Sequence, residues 1–308
     1  MLLDRLLDSL RVEVAPFAVC DVRRGWRVRM PPDGHVSLHF VVRGEGRLLD
    51  AEGQAHRLCE GTVIVAAPGQ VHRIEPPEGA ADELDAAADC SLPEQGLKRL
   101  VAGGGEAALL MVCGAVKATY GGAYGLFDGL REPLVIDFAD APRMRMLFES
   151  MLAEQAERGP GSQAMLRALM MQGLVALLRR LCEGGRCSLP WLAALGDPRL
   201  VRALDVMLEA PEKAHTLESV AKTAGMSRSA FSERFSQAFG RTAMELLREV
   251  RLDRAAELLR GTDLAVQTVA ERVGFASRSH FSRAFRGRFD VDPAGFRHSV
   301  RDHAAAKT

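Results

Sequence analysis

Hydrophobic and polar positions change rhythm along the chain. From Phe17 to about Ile74, apolar residues cluster in short runs at 26–30, 36–42, 46–50, 56–58, 62–66 and 71–74. Turn residues separate them: Pro31-Pro32-Asp33-Gly34, Gly44-Glu45-Gly46, Glu52-Gly53 and Pro68-Gly69. Short strands so closely punctuated predict an all-β sandwich or barrel. Residues 76–106 are acidic and rich in Ala and Gly, with few large apolar side chains, and read as a mobile loop. Residues 108–116 read as a strand returning to the barrel.

From Pro142 the period becomes helical. Residues 143–158 and 162–182 predict a helical hairpin broken at Gly159-Pro160-Gly161. In the second helix Leu166, Leu169, Met170, Gly173, Leu174, Leu177, Leu178 and Leu181 form an apolar stripe at three- and four-residue steps. Such a stripe is either core or a dimer seam. Residues 183–190 are polar, contain glycine and suit a linker.

The last hundred residues carry an internal repeat. Val220-Ala221-Lys-Thr-Ala-Gly225 recurs as Val269-Ala270-Glu-Arg-Val-Gly274, an offset of 49. After one inserted residue the offset is 50: Ser227-Arg228-Ser229 matches Ser277-Arg278-Ser279, and Phe231, Phe235 and Phe239 match Phe281, Phe285 and Phe289. Each copy predicts a helix-turn-helix. A short helix (217–224, 266–273) ends at a glycine able to adopt the left-handed closing conformation. A serine then caps a second helix. The Phe triplet buries one face of that helix, leaving Arg228, Ser229, Ser232 and Glu233 outside in one copy, and Arg278, Ser279, His280, Ser282 and Arg283 in the other. Residues 244–260 join the copies as one helix of roughly 25 Å. That length lets two recognition helices sit about one duplex turn, near 34 Å, apart.

Residues 197–300 resemble the DNA-binding domain of AraC/XylS-family transcription regulators. The resemblance rests on Ala224-Gly225-Met226-Ser227, Arg251-Leu-Asp-Arg-Ala255-Ala256-Glu-Leu258-Leu259, Val269-Ala270 through Phe285, and Phe289-Asp290-Val-Asp-Pro293 with Phe296-Arg297. Asp290 stands where the family usually has glycine, and Asp can visit the same backbone region. By position, the resemblance implies base-reading by Ser229, Ser232 and Glu233 and by Ser279, His280 and Arg283. Arg283 suits guanine and Glu233 suits cytosine N4, while Arg228, Arg278, Arg286 and Arg288 suit phosphate. It also implies promoter DNA and RNA polymerase as partners, and an activator.

Charge supports that division. Lys and Arg number 40 and so do Asp and Glu, yet residues 197–308 hold 19 basic and 15 acidic residues, leaving the remainder net acidic. With 308 residues, 47% hydrophobic and 26% charged, the chain predicts two domains and excludes a disordered or collagen-like protein. Six cysteines without a CxxC pair, a start that is not a signal-peptide core, and a most apolar stretch (164–178) interrupted by Arg167 and Gln172 predict a cytoplasmic protein with no membrane contact.

The β-rich half resembles the cupin-like sensor domain often attached to these regulators. It does so through His39-Phe-Val-Val-Arg-Gly44-Glu-Gly46, Gly61 to His72 with Pro68-Gly69, and Val112-Cys113-Gly114. Cupin enzymes hold a metal with imidazoles and a carboxylate. Here His39 and His72 remain as candidate ligands for a divalent metal, His35 lies nearby, and Ser37 replaces the usual first histidine. Cys20 and Cys113 are the rival candidates, as an oxidant sensor. Arg23-Arg24-Gly-Trp26-Arg27 has the spacing to hold nucleotide phosphates, against a solvated edge strand.

The whole reads as an α+β multidomain regulator. A cupin-like β-barrel (1–141) is followed by a helical hairpin and linker serving dimerisation (142–196), then an all-α DNA-binding domain with two helix-turn-helix motifs (197–308). A small effector or oxidant acting on a homodimer would change promoter occupancy. The alternative is a metal-dependent cupin enzyme fused to a DNA-binding module.

Overall fold

The computed structural model describes residues 7, 10–32, 35–87, 97–120, 124–127, 129–183, 189–194 and 196–305. Strands β1 (Leu10–Val14), β2 (Ala18–Arg23), β3 (Gly25–Met30), β4 (Val36–Gly44), β5 (Gly46–Leu49), β6 (Ala55–Leu58) and β7 (Thr62–Ala66) come first. They are followed by β8 (His72–Glu75), β9 (Ala80–Asp85), β10 (Lys98–Ala102), β11 (Ala107–Tyr120), β12 (Tyr124–Gly125) and β13 (Leu134–Asp137). One sheet runs β10-β2-β11-β4-β7-β13, the other β6-β5-β8-β3-β9. Both sheets feed one core: Val28, Met30, Leu48 and Ile74 from the second meet Cys20, Val41, Ile64 and Met111 from the first. Alternate residues of the second sheet, Arg27, Arg29, Arg47 and Arg73, pair with Glu75, Glu83 and Asp85 on its other face.

Helices α1 (Pro142–Ala156) and α2 (Ser162–Leu181) follow, divided by Gly161 in a left-handed conformation. They belong with the barrel to one unit, Val12–Ala118 and Leu126–Glu183. Phe148 of α1 stacks on Phe40 of β4 with ring centroids 4.6 Å apart. Buried Gln155 accepts from Phe17 N and donates to Phe17 O, both at 2.6 Å. Strand β7 is buried at all five positions because its two faces meet different partners: Ile64 faces the inter-sheet core, and Val63 lines an apolar gap with Phe148, Met170 and Leu174. The stripe of α2 is therefore core. Leu166, Met170, Leu174, Leu177, Leu178 and Leu181 are all buried within the single chain.

Three readings need revision or fall partly outside the described residues. The stretch 76–106 contains β9 and β10, which pair in parallel with β3 and β2 and end the two sheets. An edge strand takes its order from main-chain bonds to one neighbour, so β10 buries only Leu100 and Ala102 and shows no run of large apolar residues. Residues 88–96 of that stretch, 33–34 of the first turn and 184–188 of the linker lie outside the described residues. The nucleotide reading of Arg23, Arg24 and Arg27 is displaced by carboxylates. Arg23 binds Asp21 at 2.7 Å, Arg24 binds Glu78 at 2.8 Å, and Arg27 lies 3.5 Å from Glu75. Nor is β3 an edge, since it sits between β8 and β9.

The second unit is Gly184–Thr308 with Met1–Arg11 and Thr119–Gly125. Its helices are α3 (Pro190–Ala194), α4 (Pro198–Glu209), α5 (Leu217–Thr223), α6 (Arg228–Phe239), α7 (Ala243–Gly261), α8 (Val266–Arg272), α9 (Arg278–Phe289) and α10 (Pro293–Ala305). No helix among the described residues is long and apolar enough to cross a membrane.

Candidate nucleic-acid interface

The repeat in sequence is a repeat in hydrogen bonds. Helix α5 closes with Met226 N donating to Ala221 O at 3.0 Å, and α8 closes with Phe275 N donating to Ala270 O at 2.9 Å. Gly225 and Gly274 supply the left-handed residue, at φ +65° and +88°. Ser227 Oγ accepts from Ala230 N at the start of α6, and Ser277 Oγ accepts from His280 N at the start of α9. Gly240 ends α6 at φ +67°, and Asp290 ends α9 at φ +59° with its N–H on Arg286 O. Asp290 thus adopts the glycine conformation.

Burial then orients each recognition helix. Phe231, Phe235 and Phe239 are buried in α6, and Phe281, Ala284 and Phe285 in α9, so the opposite faces point outward. Arg228, Ser229 and Glu233 are exposed on α6, and Ser232 is half-buried. Glu233 accepts from Gln237 Nε2 at 3.3 Å, a neighbour that the sequence reading missed although it lies one turn along the same face. On α9, Arg278, Ser279, His280, Arg283 and Arg286 are exposed. The His280 ring lies tilted against Phe275 with centroids 5.7 Å apart. Arg286 lies 3.5 Å from Asp292 and Arg288 lies 3.4 Å from Asp253, whereas Arg228, Arg278 and Arg283 form no ion pair among the described residues. Helix α7 buries Leu246, Leu247 and Val250 in its first half, while Leu252, Ala255, Ala256 and Leu259 join the core of α8 and α9.

In the barrel, His39 of β4 and His72 of β8 come from different sheets and meet with their Nε2 atoms 2.8 Å apart. Both are buried, so one ring donates and the other accepts. Burial, with His72 nearby, holds His39 well below the usual histidine range. Burial pushes His72 down to about 4, against a small opposing effect of the Gln70 backbone. As placed, the two rings stand too close together to share the divalent metal expected here. Two imidazoles on one tetrahedral ion at about 2.1 Å would stand roughly 3.4 Å apart, too far to bond each other. Moreover, no group of three or more His, Cys, Asp or Glu side chains is placed to hold an ion among the described residues. His35 is exposed just before β4. Cys113 pairs in register with Ala18, and Cys20 with Met111 two residues away on the same strand. The two thiols therefore share the inner face of adjacent strands, and both are buried. Among the described cysteines, Cys182 is the exposed one.

Comparison with known proteins agrees with both halves. A Cupin model matches residues 2–183 and a Helix-turn-helix domain model matches residues 220–299. An uncharacterized HTH-type transcriptional regulator of Haemophilus influenzae is 30% identical, covering 97% of this chain and 98% of its own. The chain is an AraC-type transcription regulator with an N-terminal cupin domain. Within that family it resembles the RCS-specific HTH-type transcriptional activator RclR of Escherichia coli, at 27% identity over 89% of the regulator and 95% of RclR. The solved DNA-binding domain of AdpA, in complex with a target DNA, is 30% identical over 35% of the regulator and 96% of that chain, at a TM-score of 0.33. The regulator is a DNA-binding protein of the helix-turn-helix kind.

Proposed function

We propose that the regulator is a cytoplasmic, effector- or redox-responsive activator that works as a dimer with RNA polymerase on promoter DNA. It acts by binding rather than by catalysis. The reading is carried by one observation: two recognition helices built by the same bonds expose Arg228, Arg278 and Arg283, cations without a protein partner among the described residues. On this reading Arg283 takes guanine O6 and N7 and Glu233 takes cytosine N4. Ser229, Ser232, Ser279 and His280 line the base edges, while Arg228, Arg278 and Arg286 seat the phosphates.

Dimerisation is assigned to the outer side of the helical hairpin, because the stripe of α2 is used by its own barrel. A groove of about 420 Å³ runs there between α1 and α2, floored by Met146, Leu169 and Val175 with Arg143 and Arg179 at one end. Met146 is 61% exposed and Met165 is 51% exposed. Redox response is supported by the resemblance to RclR, an RCS-specific activator, and by the shared inner face of Cys20 and Cys113. Since both thiols are buried, an oxidant reaches them only when the barrel opens locally.

The experiment is binding of the full chain to duplexes selected from a random library, before and after mild hypochlorite treatment, with sedimentation run alongside. The reading expects a dimer, selective binding, and an affinity change that reductant reverses and Cys20→Ser abolishes. Selective binding indifferent to hypochlorite leaves the activator and removes the redox sensor. A monomer unchanged by Met146→Glu removes the dimer.

A further inference from the structure

The two helix-turn-helix units share the helix α7 and, beside it, one turn. Residues 210–215 leave α4 of the first unit and are stiffened from within. Lys213 N donates to Ala210 O at 3.1 Å, and His215 N donates to Lys213 O at 2.8 Å. His215 Nε2 donates to the same Ala210 carbonyl at 2.8 Å. Arg251, near the middle of α7, reaches across to this turn. Its Nε donates to Pro211 O and its Nη2 to Lys213 O, both at 2.7 Å. Arg254, three residues on, lies 3.8 Å from Glu212.

The other wall of the seat belongs to the second unit. A Cβ on Gly274 would stand 2.7 Å from Glu212 O and 2.9 Å from Glu212 Cα, so the turn packs directly on the glycine. The matching glycine of the first unit, Gly225, has nothing within 4 Å of the same point. Both glycines provide the left-handed residue their turn requires; only Gly274 must also lack a side chain. Arg251 is a half-buried cation spent on two main-chain carbonyls. A planar guanidinium that makes two bonds fixes an angle as well as a distance, which an ammonium cannot do.

We propose that this clasp sets the separation and phase of α6 and α9, so that the regulator reads two half-sites at one spacing and rejects the neighbouring spacings. Arg251 is then a positioning residue for recognition, and Gly274 is its seat. One added base pair moves the second half-site by about 3.4 Å and turns it by roughly 35° about the duplex axis. A fixed pair of units cannot follow that displacement. The inference rests on the reading that both α6 and α9 enter DNA.

The test uses the full chain and a duplex library with two randomised half-sites, separated by a constant spacer whose length varies one base pair at a time. Wild type is expected to enrich one spacer length, with binding about tenfold or more weaker one base pair either side. Arg251→Gln and Gly274→Ala, checked for a cooperative melt, are expected to bind the best spacer less tightly and to spread onto its neighbours. Arg251→Lys keeps the charge but not the two-carbonyl grip, and is expected to spread likewise; a simple loss of phosphate attraction would leave the spacing preference sharp. Equal enrichment of paired half-sites at several spacers by wild type overturns the clasp, whether or not any variant folds. So does a sharp optimum retained by Arg251→Gln. Enrichment of a single unpaired half-site gives a different pattern and overturns the two-headed reading itself.

Discussion

The two helix-turn-helix units close their turns and cap their recognition helices in the same way, and they bury the first two phenylalanines alike, with Phe289 half-buried where Phe239 is buried; yet they present different surfaces. Helix α6 offers one arginine without an ion-pair partner, Arg228, beside Glu233, and its Arg234 is drawn to Asp197 at 3.6 Å. Helix α9 offers Arg278 and Arg283 without such partners, with Arg286 and Arg288 only loosely held by Asp292 and Asp253. Geometry was duplicated and electrostatics was not. Phosphate attraction supplies most of the sequence-independent affinity, whereas a carboxylate near DNA is tolerated only where it finds a donor. On the proposed reading both units read bases, and the second, with more cations on its recognition helix, carries the larger share of the phosphate grip.

The comparison is broken most severely by emptying the two cores. Phe231→Ala and Phe281→Ala remove side chains buried to the same extent, and each is expected to cost about 3–5 kcal/mol in a denaturant melt. A large inequality between them would mean that the units are not equivalent as folds. On the DNA side, Arg283→Ala is expected to weaken binding by roughly 1–3 kcal/mol and relax preference at one base pair, read by competition with single-base variants. Glu233→Gln should leave total affinity little changed or raised. Its effect is lost discrimination against the wrong base at one position, about 1–3 kcal/mol by the same assay.

Acid provides a contrast with the barrel. His39 and His72 are held below their unfolded value, so below about pH 6.5 the unfolded chain binds protons that the folded barrel does not. Stability is full above that value and falls as pH drops toward the His72 value of about 4. The melting temperature of the barrel is expected to decline from pH 7 to pH 5, and His39→Phe to flatten that decline. The smallest effect lies at the ends of the recognition helices: Gly240→Ala is expected to cost about 1–2 kcal/mol, while Asp290→Gly is neutral or mildly stabilising.

How much of this was legible in the chain depended on whether order came from side chains or from neighbours. The paired Gly, Ser and Phe positions announced two helix-turn-helix units because each residue type does one local job, and even Asp290 was readable as a left-handed closure. Strands β9 and β10 were not readable, since parallel edge pairing needs main-chain bonds more than a hydrophobic pattern. The stripe of α2 was visible, but a sequence does not say whether a stripe meets its own barrel or a second copy. His39 and His72 stood out by type, yet only the fold shows them spending their Nε2 atoms on one another. Arg251 lay within a motif that marked the family, and nothing in its spacing revealed that its partners are carbonyls forty and thirty-eight residues earlier.

The division of grip between the units is tested most directly by the salt dependence of binding. The slope of log K against log salt would be measured for the full chain on one selected duplex, for wild type, Arg228→Ala, and the double variant Arg278→Ala with Arg286→Ala. The double variant is expected to lower the slope by up to about 2, and Arg228→Ala by no more than about 1, with the greater loss of affinity in the double variant. A slope that drops more for Arg228→Ala, or remains unchanged in the double variant, would contradict the assignment of the larger share of grip to the second unit.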